Sequence, residues 1–158
     1  AWDLSKGRVA AGVREMERLK LSGRVVMRAG SALELEPLGA PDAILVDAPC
    51  SGSGTWRRHP EGKWRLSPEN LEELTELQYR LLCRAFSLVK KGGKVVYSTC
   101  SLLAAENEEV VEKALRAFPE ISERPLSADF GGIACGRGGV LTPENPWTDG
   151  FYLAAVSK

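Results

Sequence analysis

The chain has 158 residues, with 21 Lys+Arg, 21 Asp+Glu and one His, so its formal net charge is zero. At roughly 100–200 residues per domain this is one domain or a large part of one, long enough to bury a core without staples. The 44% hydrophobic and 27% charged content excludes disorder, collagen and coiled coil as the main architecture, and zero net charge argues against a nucleic-acid footprint spread over the whole chain.

Ala1-Trp2-Asp3 reads as the end of a strand with nothing before it, so the chain reads as the downstream part of something longer. The first six residues carry neither the basic nor the apolar region of a signal peptide. Ser5 can cap a helix running to about Lys20, with Val9, Val13, Met16 and Leu19 as its apolar stripe and Gly23 just past its end. Arg24–Arg28 reads as a short strand and residues 31–41 as a loop containing Pro37, Gly39 and Pro41. Ala43–Val46 is a continuous apolar run ending in Asp47, as in a strand buried on both faces. A long loop from Ala48 to about Leu66 precedes Ser67-Pro68, a strong helix start. Leu71, Leu74, Leu77, Leu81 and Leu88 carry that helix to Lys90, and Gly92-Gly93 stop it. Lys94–Thr99 is a second buried strand, ending at Cys100. Glu106–Phe118 reads as an amphipathic helix, residues 131–139 as a Gly-rich segment, and Phe151–Val156 as a last strand. The apolar runs at 43–46 and 95–97 fall far short of the ~18 residues that span a bilayer, so no membrane partner is expected.

Strands alternating with helices of this length predict an α/β fold with a mostly parallel sheet and right-handed crossovers. In such sheets ligands bind outside the carboxyl ends of the strands. Two segments leave strands at that edge, Asp47-Ala48-Pro49-Cys50 and Ser98-Thr99-Cys100-Ser101. Neighbouring strands lie ~4.8 Å apart, so adjacency of these two would turn both cysteines to one pocket. A thiol is a strong nucleophile through its thiolate. Cys83, beside Leu81 and Leu82, reads as a buried apolar residue, and Cys135 as incidental. No C-x-x-C pair is present, so a zinc site is not expected. The cysteine usage fits a reducing cytosol, and a cytoplasmic location is expected. Asp47 closes an apolar strand and needs a partner there. Asp3, between a strand end and a helix, is where nucleotide sites commonly hold ribose hydroxyls; a helix-terminal aspartate is the plainer alternative. Arg57, Arg58, His59, Lys63, Trp64 and Arg65 form a basic and aromatic stretch opposed only by Glu61. Such a stretch is either a solvated loop or a contact for phosphates and splayed bases.

Asp47-Ala48-Pro49-Cys50-Ser51-Gly52-Ser53-Gly54, Arg57-Arg58-His59-Pro60, Lys63-Trp64, Ser98-Thr99-Cys100-Ser101 with Glu106-Asn107, and Thr148-Asp149-Gly150-Phe151-Tyr152 together resemble the NOL1/NOP2/Sun family. That family is RNA cytosine-C5 methyltransferases, including bacterial 16S rRNA enzymes. The resemblance implies a Rossmann-like, S-adenosylmethionine (AdoMet)-dependent methyltransferase sheet with a C-terminal antiparallel strand, which Phe151–Val156 would form. It assigns the nucleophile to Cys100, elimination and release to Cys50, and cytosine activation to Asp47. It implies AdoMet as cofactor, with Asp3, Ser31, Asp47 and Pro49 around it, and RNA, rRNA before tRNA, as the substrate met by Arg57, Arg58, His59, Lys63 and Trp64.

Ser31 stands where the family carries an acid, and a hydroxyl is a weaker acceptor than a carboxylate. The family's glycine-rich AdoMet loop and the strand leading to it, which should precede Asp3, are not in these 158 residues. Residues 1–158 are therefore expected to be the C-terminal part of one methyltransferase catalytic domain, partnered by a missing N-terminal part of the same enzyme and inactive alone. Two other readings compete. A DNA cytosine methyltransferase would promote Cys50 of the Pro-Cys pair to nucleophile, which Cys100 in Thr-Cys-Ser disfavours. A non-catalytic RNA-binding or assembly module fits the absent AdoMet loop but leaves the two cysteines without a purpose.

Overall fold

The computed structural model describes residues 1–34, 36–126, 131–144 and 148–158, which divide into two compact units, residues 1–38 and 39–158. In the first unit β1 (Trp2–Asp3) pairs in parallel with β2 (Arg28–Ala29), joined through helix α1 (Lys6–Arg18). Ser5 caps the helix by accepting the Arg8 amide at 3.2 Å. The helix ends at Arg18 with Leu19 as its C-cap, two residues before the expected Lys20. Lys20 takes a left-handed φ of 58°, and the Leu21 and Lys20 amides return to the Met16 and Glu17 carbonyls at 2.8 and 3.0 Å, the paired bonds of a Schellman turn. The strand expected at Arg24–Arg28 shrinks to Arg28–Ala29, because the Arg24 and Val25 amides turn back to the Leu21 carbonyl.

The second unit is built on a sheet of order β3 (Ala43–Asp47), β4 (Lys94–Thr99), β8 (Phe151–Ser157), β7 (Gly138–Leu141) and β6 (Ile133–Cys135), with β5 (Ser122–Arg124) also pairing with β8. β3 and β4 are parallel, and β8 is the expected antiparallel C-terminal strand. The antiparallel part extends further than the sequence indicated. The Gly-rich segment is a hairpin, β6–β7, whose two-residue turn uses Gly136 at φ 45°, the backbone such a turn requires. Short apolar runs interrupted by glycines carry little periodicity, which hid these strands.

Ser67 caps α3 (Pro68–Leu88), accepting the Asn70 amide at 3.2 Å with Pro68 at the first position, and α4 spans Glu108–Ala117. Leu82, Ala85 and Phe86 of α3 and Val110, Val111 and Ala114 of α4 bury against Val95 and Tyr97 of β4 and Tyr152, Ala154 and Val156 of β8. Phe86 meets Phe118 edge to face at 5.5 Å and Tyr97 meets Tyr152 at 6.3 Å, the geometry aromatic quadrupoles favour. β3 departs from the two-sided burial expected of it. It pairs only with β4 among the described residues, and Leu45 is 67% exposed.

This distribution of burial predicts a sharp contrast. Phe86→Ala should lower the unfolding free energy by about 3–5 kcal/mol, whereas Leu45→Ser should change it by less than about 0.5 kcal/mol. Urea titrations of the two variants check both values.

Candidate active site at the carboxyl edge of the parallel strands

The parallel register sets Asp47 opposite Ser98, and the Ala48 amide extends the ladder by one bond to the Ser98 carbonyl at 3.0 Å. The chain therefore leaves both strands at the same edge. Three residues beyond Asp47 and two beyond Ser98, Cys50 and Cys100 stand with their Sγ atoms 3.3 Å apart, both free thiols and both part-buried. The adjacency anticipated from the sequence is present.

The loop carrying Cys50 is folded back over β4. Gly52 turns it at φ 68° into a 3₁₀ turn at Ser53–Thr55. The Gly54 amide donates to the Cys100 carbonyl and the Gly150 amide to the Gly54 carbonyl, each at 2.9 Å. A Cβ on Gly54 would stand 2.2 Å from the Gly150 carbonyl oxygen, and one on Gly150 would stand 2.7 Å from Gly54 Cα. Only glycines let these two backbones touch. The Leu102 amide closes the loop from the other side by donating to Ser53 Oγ at 2.8 Å.

Beneath the cysteines lies a buried polar cluster. Glu106, expected to open a helix, instead ends a 3₁₀ turn at Ala104–Glu106 and is fully buried. Its carboxylate accepts the Ser51 amide at 2.8 Å, Gln78 Nε2 at 3.0 Å and the Ser51 and Ser101 hydroxyls at 2.5 Å each. Gln78 Nε2 also donates to the Pro49 carbonyl at 2.8 Å. Tyr97 OH donates to the Glu106 carbonyl at 2.6 Å. Asn107 accepts from Thr99 Oγ1 at 2.6 Å and donates to the Ser101 carbonyl at 3.0 Å.

The two thiols are electrostatically unequal. Cys100 is lowered to about 7, first by the hydrogen bond from Cys50, against burial and the charges of Asp47 and Glu106. Cys50 is pushed up, first by that same bond and then by burial. The proton the pair shares therefore favours Cys50, and Cys100 is the member that ionises first. Burial raises both Cys83 and Cys135, in keeping with inert packing residues.

Asp47 is exposed at the end of β3 and accepts no hydrogen bond from a described residue. Pro49 is anchored through its carbonyl to Gln78. In the first unit Asp3 accepts the Ser5 amide at 2.7 Å and both arms of Arg8 at 2.8 Å, and the Arg8 bonds hold its carboxyl below the usual range. Ser31 Oγ accepts the Leu33 amide at 3.2 Å. The basic stretch is divided. Arg58 pairs with Asp149, and Arg57 lies 3.6 Å from the same carboxylate and donates to the Thr148 carbonyl. His59 Nδ1 lies 3.8 Å from Glu61. Lys63 sits 4.7 Å over the ring of Trp64, which is 81% exposed on α2 (Gly62–Arg65).

Sequence reasoning brought together Cys50, Cys100, Asp47 and Pro49 but gave no role to Glu106, Gln78, Ser51 or Ser101. One signal was available: Gln78 falls four residues after Leu74 and four before Leu82, a polar side chain on the core stripe of α3, which demands a buried partner. Among the described residues no cluster of His, Cys, Asp and Glu could hold a metal, and no helix is long and apolar enough to cross a membrane. A groove of about 590 Å³ along α3, lined by Glu69, Glu72, Glu73 and Glu76, contains neither cysteine. Gly54→Ala should force the two loops apart and cost about 1–3 kcal/mol, read as a lowered midpoint in chemical denaturation.

The chain matches the family described as 16S rRNA methyltransferase RsmB/F over residues 1–157. It is 38% identical over 158 residues to Ribosomal RNA small subunit methyltransferase B of Thermus thermophilus, covering 100% of this chain and 39% of that relative; it thus spans about two fifths of that protein's length. A methyltransferase homolog protein from Pyrococcus horikoshii superposes with a TM-score of 0.84 at 31% identity, covering 100% of this chain and 52% of that one. NSun6 from Pyrococcus horikoshii, solved with SFG, superposes with a TM-score of 0.85 at 28% identity, covering 100% and 40%. The fold is thus the Rossmann-like methyltransferase fold that the motifs implied. With the paired Asp-Ala-Pro-Cys and Thr-Cys-Ser segments at one sheet edge, the match over nearly every residue means that the chain belongs to the RsmB/F family of 16S rRNA methyltransferases, within the NOL1/NOP2/Sun group.

Proposed function

We propose that residues 1–158 are the C-terminal part of a single catalytic domain that methylates C5 of a cytosine in RNA, ribosomal RNA in the first place, with AdoMet as methyl donor. The observation that carries this reading is the cysteine pair, 3.3 Å apart with Cys100 the acidic member. C5 of cytosine is a poor nucleophile. Addition of the Cys100 thiolate to C6 makes C5 enamine-like and splits one hard step into easier ones. Asp47, its carboxylate unengaged beside the pair, hydrogen-bonds the amine edge of the cytosine and favours the N3-protonated form. After methylation a base, water in the simplest case, takes the C5 proton; the C–H electron pair reforms the C5–C6 double bond, the C6–S bond breaks, and the Cys100 thiolate leaves with assistance from Cys50.

AdoMet, when bound, supplies an electrophilic sulfonium methyl. In the second unit Asp47 offers such a group a free carboxylate and Pro49 a rigid carbonyl-anchored turn. In the first unit, taken by itself, Ser31 carries a hydroxyl suited to an adenine amine, and Asp3 a carboxylate suited to ribose hydroxyls once the exposed Arg8 side chain swings off it. The relative of known structure solved with SFG, an AdoMet analogue, supports the same cofactor. A target base must leave its stack to meet two cysteines. Exposed Trp64 with Lys63 beside it offers a stacking face, while Arg57 and Arg58, two guanidinium groups against the one Asp149 carboxylate, leave a net positive charge for phosphates, with His59 next to them in the chain. The outer edge of β3 is unpaired among the described residues, which fits a further strand from an N-terminal part of the same enzyme. A thiolate–thiol pair this close works only in reduced form, which the cytoplasm supplies.

In the full-length enzyme Cys100→Ser should reduce methyl transfer to RNA by at least about 10³-fold, while Cys50→Ala should accumulate a covalent RNA–protein adduct stable in denaturing gels. An adduct that survives in Cys100→Ser and disappears in Cys50→Ser reverses the assignment. Calorimetry with AdoMet should show binding by an N-terminally extended protein and none by residues 1–158. Binding by neither moves the function to a non-catalytic RNA module.

A further inference from the structure

Glu106 makes no hydrogen bond to either sulfur, and the chemistry above gives it nothing to do. Its position is nonetheless specific. Ser51 directly follows Cys50 and Ser101 directly follows Cys100. One carboxylate oxygen takes the Ser51 amide and Gln78 Nε2; the other takes the Ser51 and Ser101 hydroxyls. A carboxylate has about four acceptor sites, and all four are filled, each by a donor. Gln78, fixed in α3, also grips the Pro49 carbonyl on the other side of Cys50. Tyr97 OH on β4 holds the backbone of Glu106 itself. Two loops from different strands are thus joined through one buried side chain.

We propose that Glu106 is the positioning residue of this active site: by clasping the residue after each cysteine, it holds the Cys50 thiol within hydrogen-bonding distance of Cys100 and so keeps Cys100 reactive. The inference rests on the reading of the pair as the reacting thiols, but its test needs no RNA and no cofactor. The groups facing Cys100 are Cys50 from the loop after β3, Asp47 from the end of β3, and Glu106 from the turn before α4; Tyr97 of β4 faces Glu106 and Cys50.

The sign of one substitution separates positioning from mere charge. As a charge, Glu106 pushes the Cys100 thiol up, so its neutralisation alone would bring Cys100 lower still. As a clasp it does the reverse, because losing it frees Cys50 from Cys100 and returns Cys100 towards an ordinary thiol. Glu106→Gln keeps the size but turns an N–H₂ donor on groups that are themselves donors. The experiment is the rate of iodoacetamide alkylation at Cys100 against pH, resolved by peptide mass spectrometry, with Cys135 as the internal reference. In the unmodified full chain the rate should rise to a half-maximum near pH 7. In Glu106→Gln the half-maximum should move up by more than one pH unit, with roughly tenfold slower alkylation at pH 7 and an unchanged Cys135 profile. Ser51→Ala/Ser101→Ala, which retains the charge and deletes two of the four donors, should shift the profile in the same direction. It carries the test if Glu106→Gln loses its circular-dichroism signature. A profile that moves down or stays in place in either folded variant overturns the proposal. Methyl transfer that fails to depend on Cys100 would instead overturn the function and leave this result standing.

Discussion

The parallel pairing of β3 with β4 is the constraint on which the site depends. Side chains alternate along a strand, so a slip of one residue would turn every side chain to the opposite face. With Asp47 opposite Ser98, the two exits coincide and the cysteines arrive side by side. β8 secures the pair from the other flank by running antiparallel along the whole of β4, from Lys94↔Ser157 to Thr99↔Tyr152. Tyr97 and Tyr152 then meet beneath the site and join the core that α3 and α4 cover.

Placing a carboxylate in that core is costly unless every lone pair is used, because a buried charge loses its water. Glu106 meets the condition with four donors. Low dielectric strengthens such a network when it is complete and penalises it severely when one member is lost. The same physics explains why Gln78 sits among leucines on α3. Its amide answers both Glu106 and the Pro49 carbonyl, so a helix otherwise devoted to packing also fixes a loop of the site.

The cysteines show how geometry differentiates two identical groups. Both are part-buried, which alone would raise both. The 3.3 Å contact couples them through one shared proton, so that whichever thiol donates becomes harder to ionise and its partner easier; Cys50 is raised and Cys100 lowered. A more acidic thiol and a proton-bearing neighbour thus stand side by side. Backbone contact between Gly54 and Gly150 binds the Asp-Gly-Phe segment to the same loop. That contact, together with the Arg58–Asp149 pair, explains why motifs nearly a hundred residues apart meet at one place.

The sequence by itself determined the main helices and buried strands, the α/β class, and the two strand ends where the paired cysteines, Asp47 and Pro49 lie. These follow from local quantities: apolar runs, capping residues and motif spacing. It did not determine the hairpin at residues 133–141, the short extent of β2, or the exposed edge of β3, since each depends on which strand lies alongside. Nor did it reveal that Arg57 and Arg58 turn to Asp149. The buried setting of Glu106 was the least legible of all. Its carboxylate looks like a surface residue at a helix start, and only the tertiary structure brings Ser51, Gln78 and Ser101 around it, because the free energy of a buried charge is set by partners distant in sequence and adjacent in space.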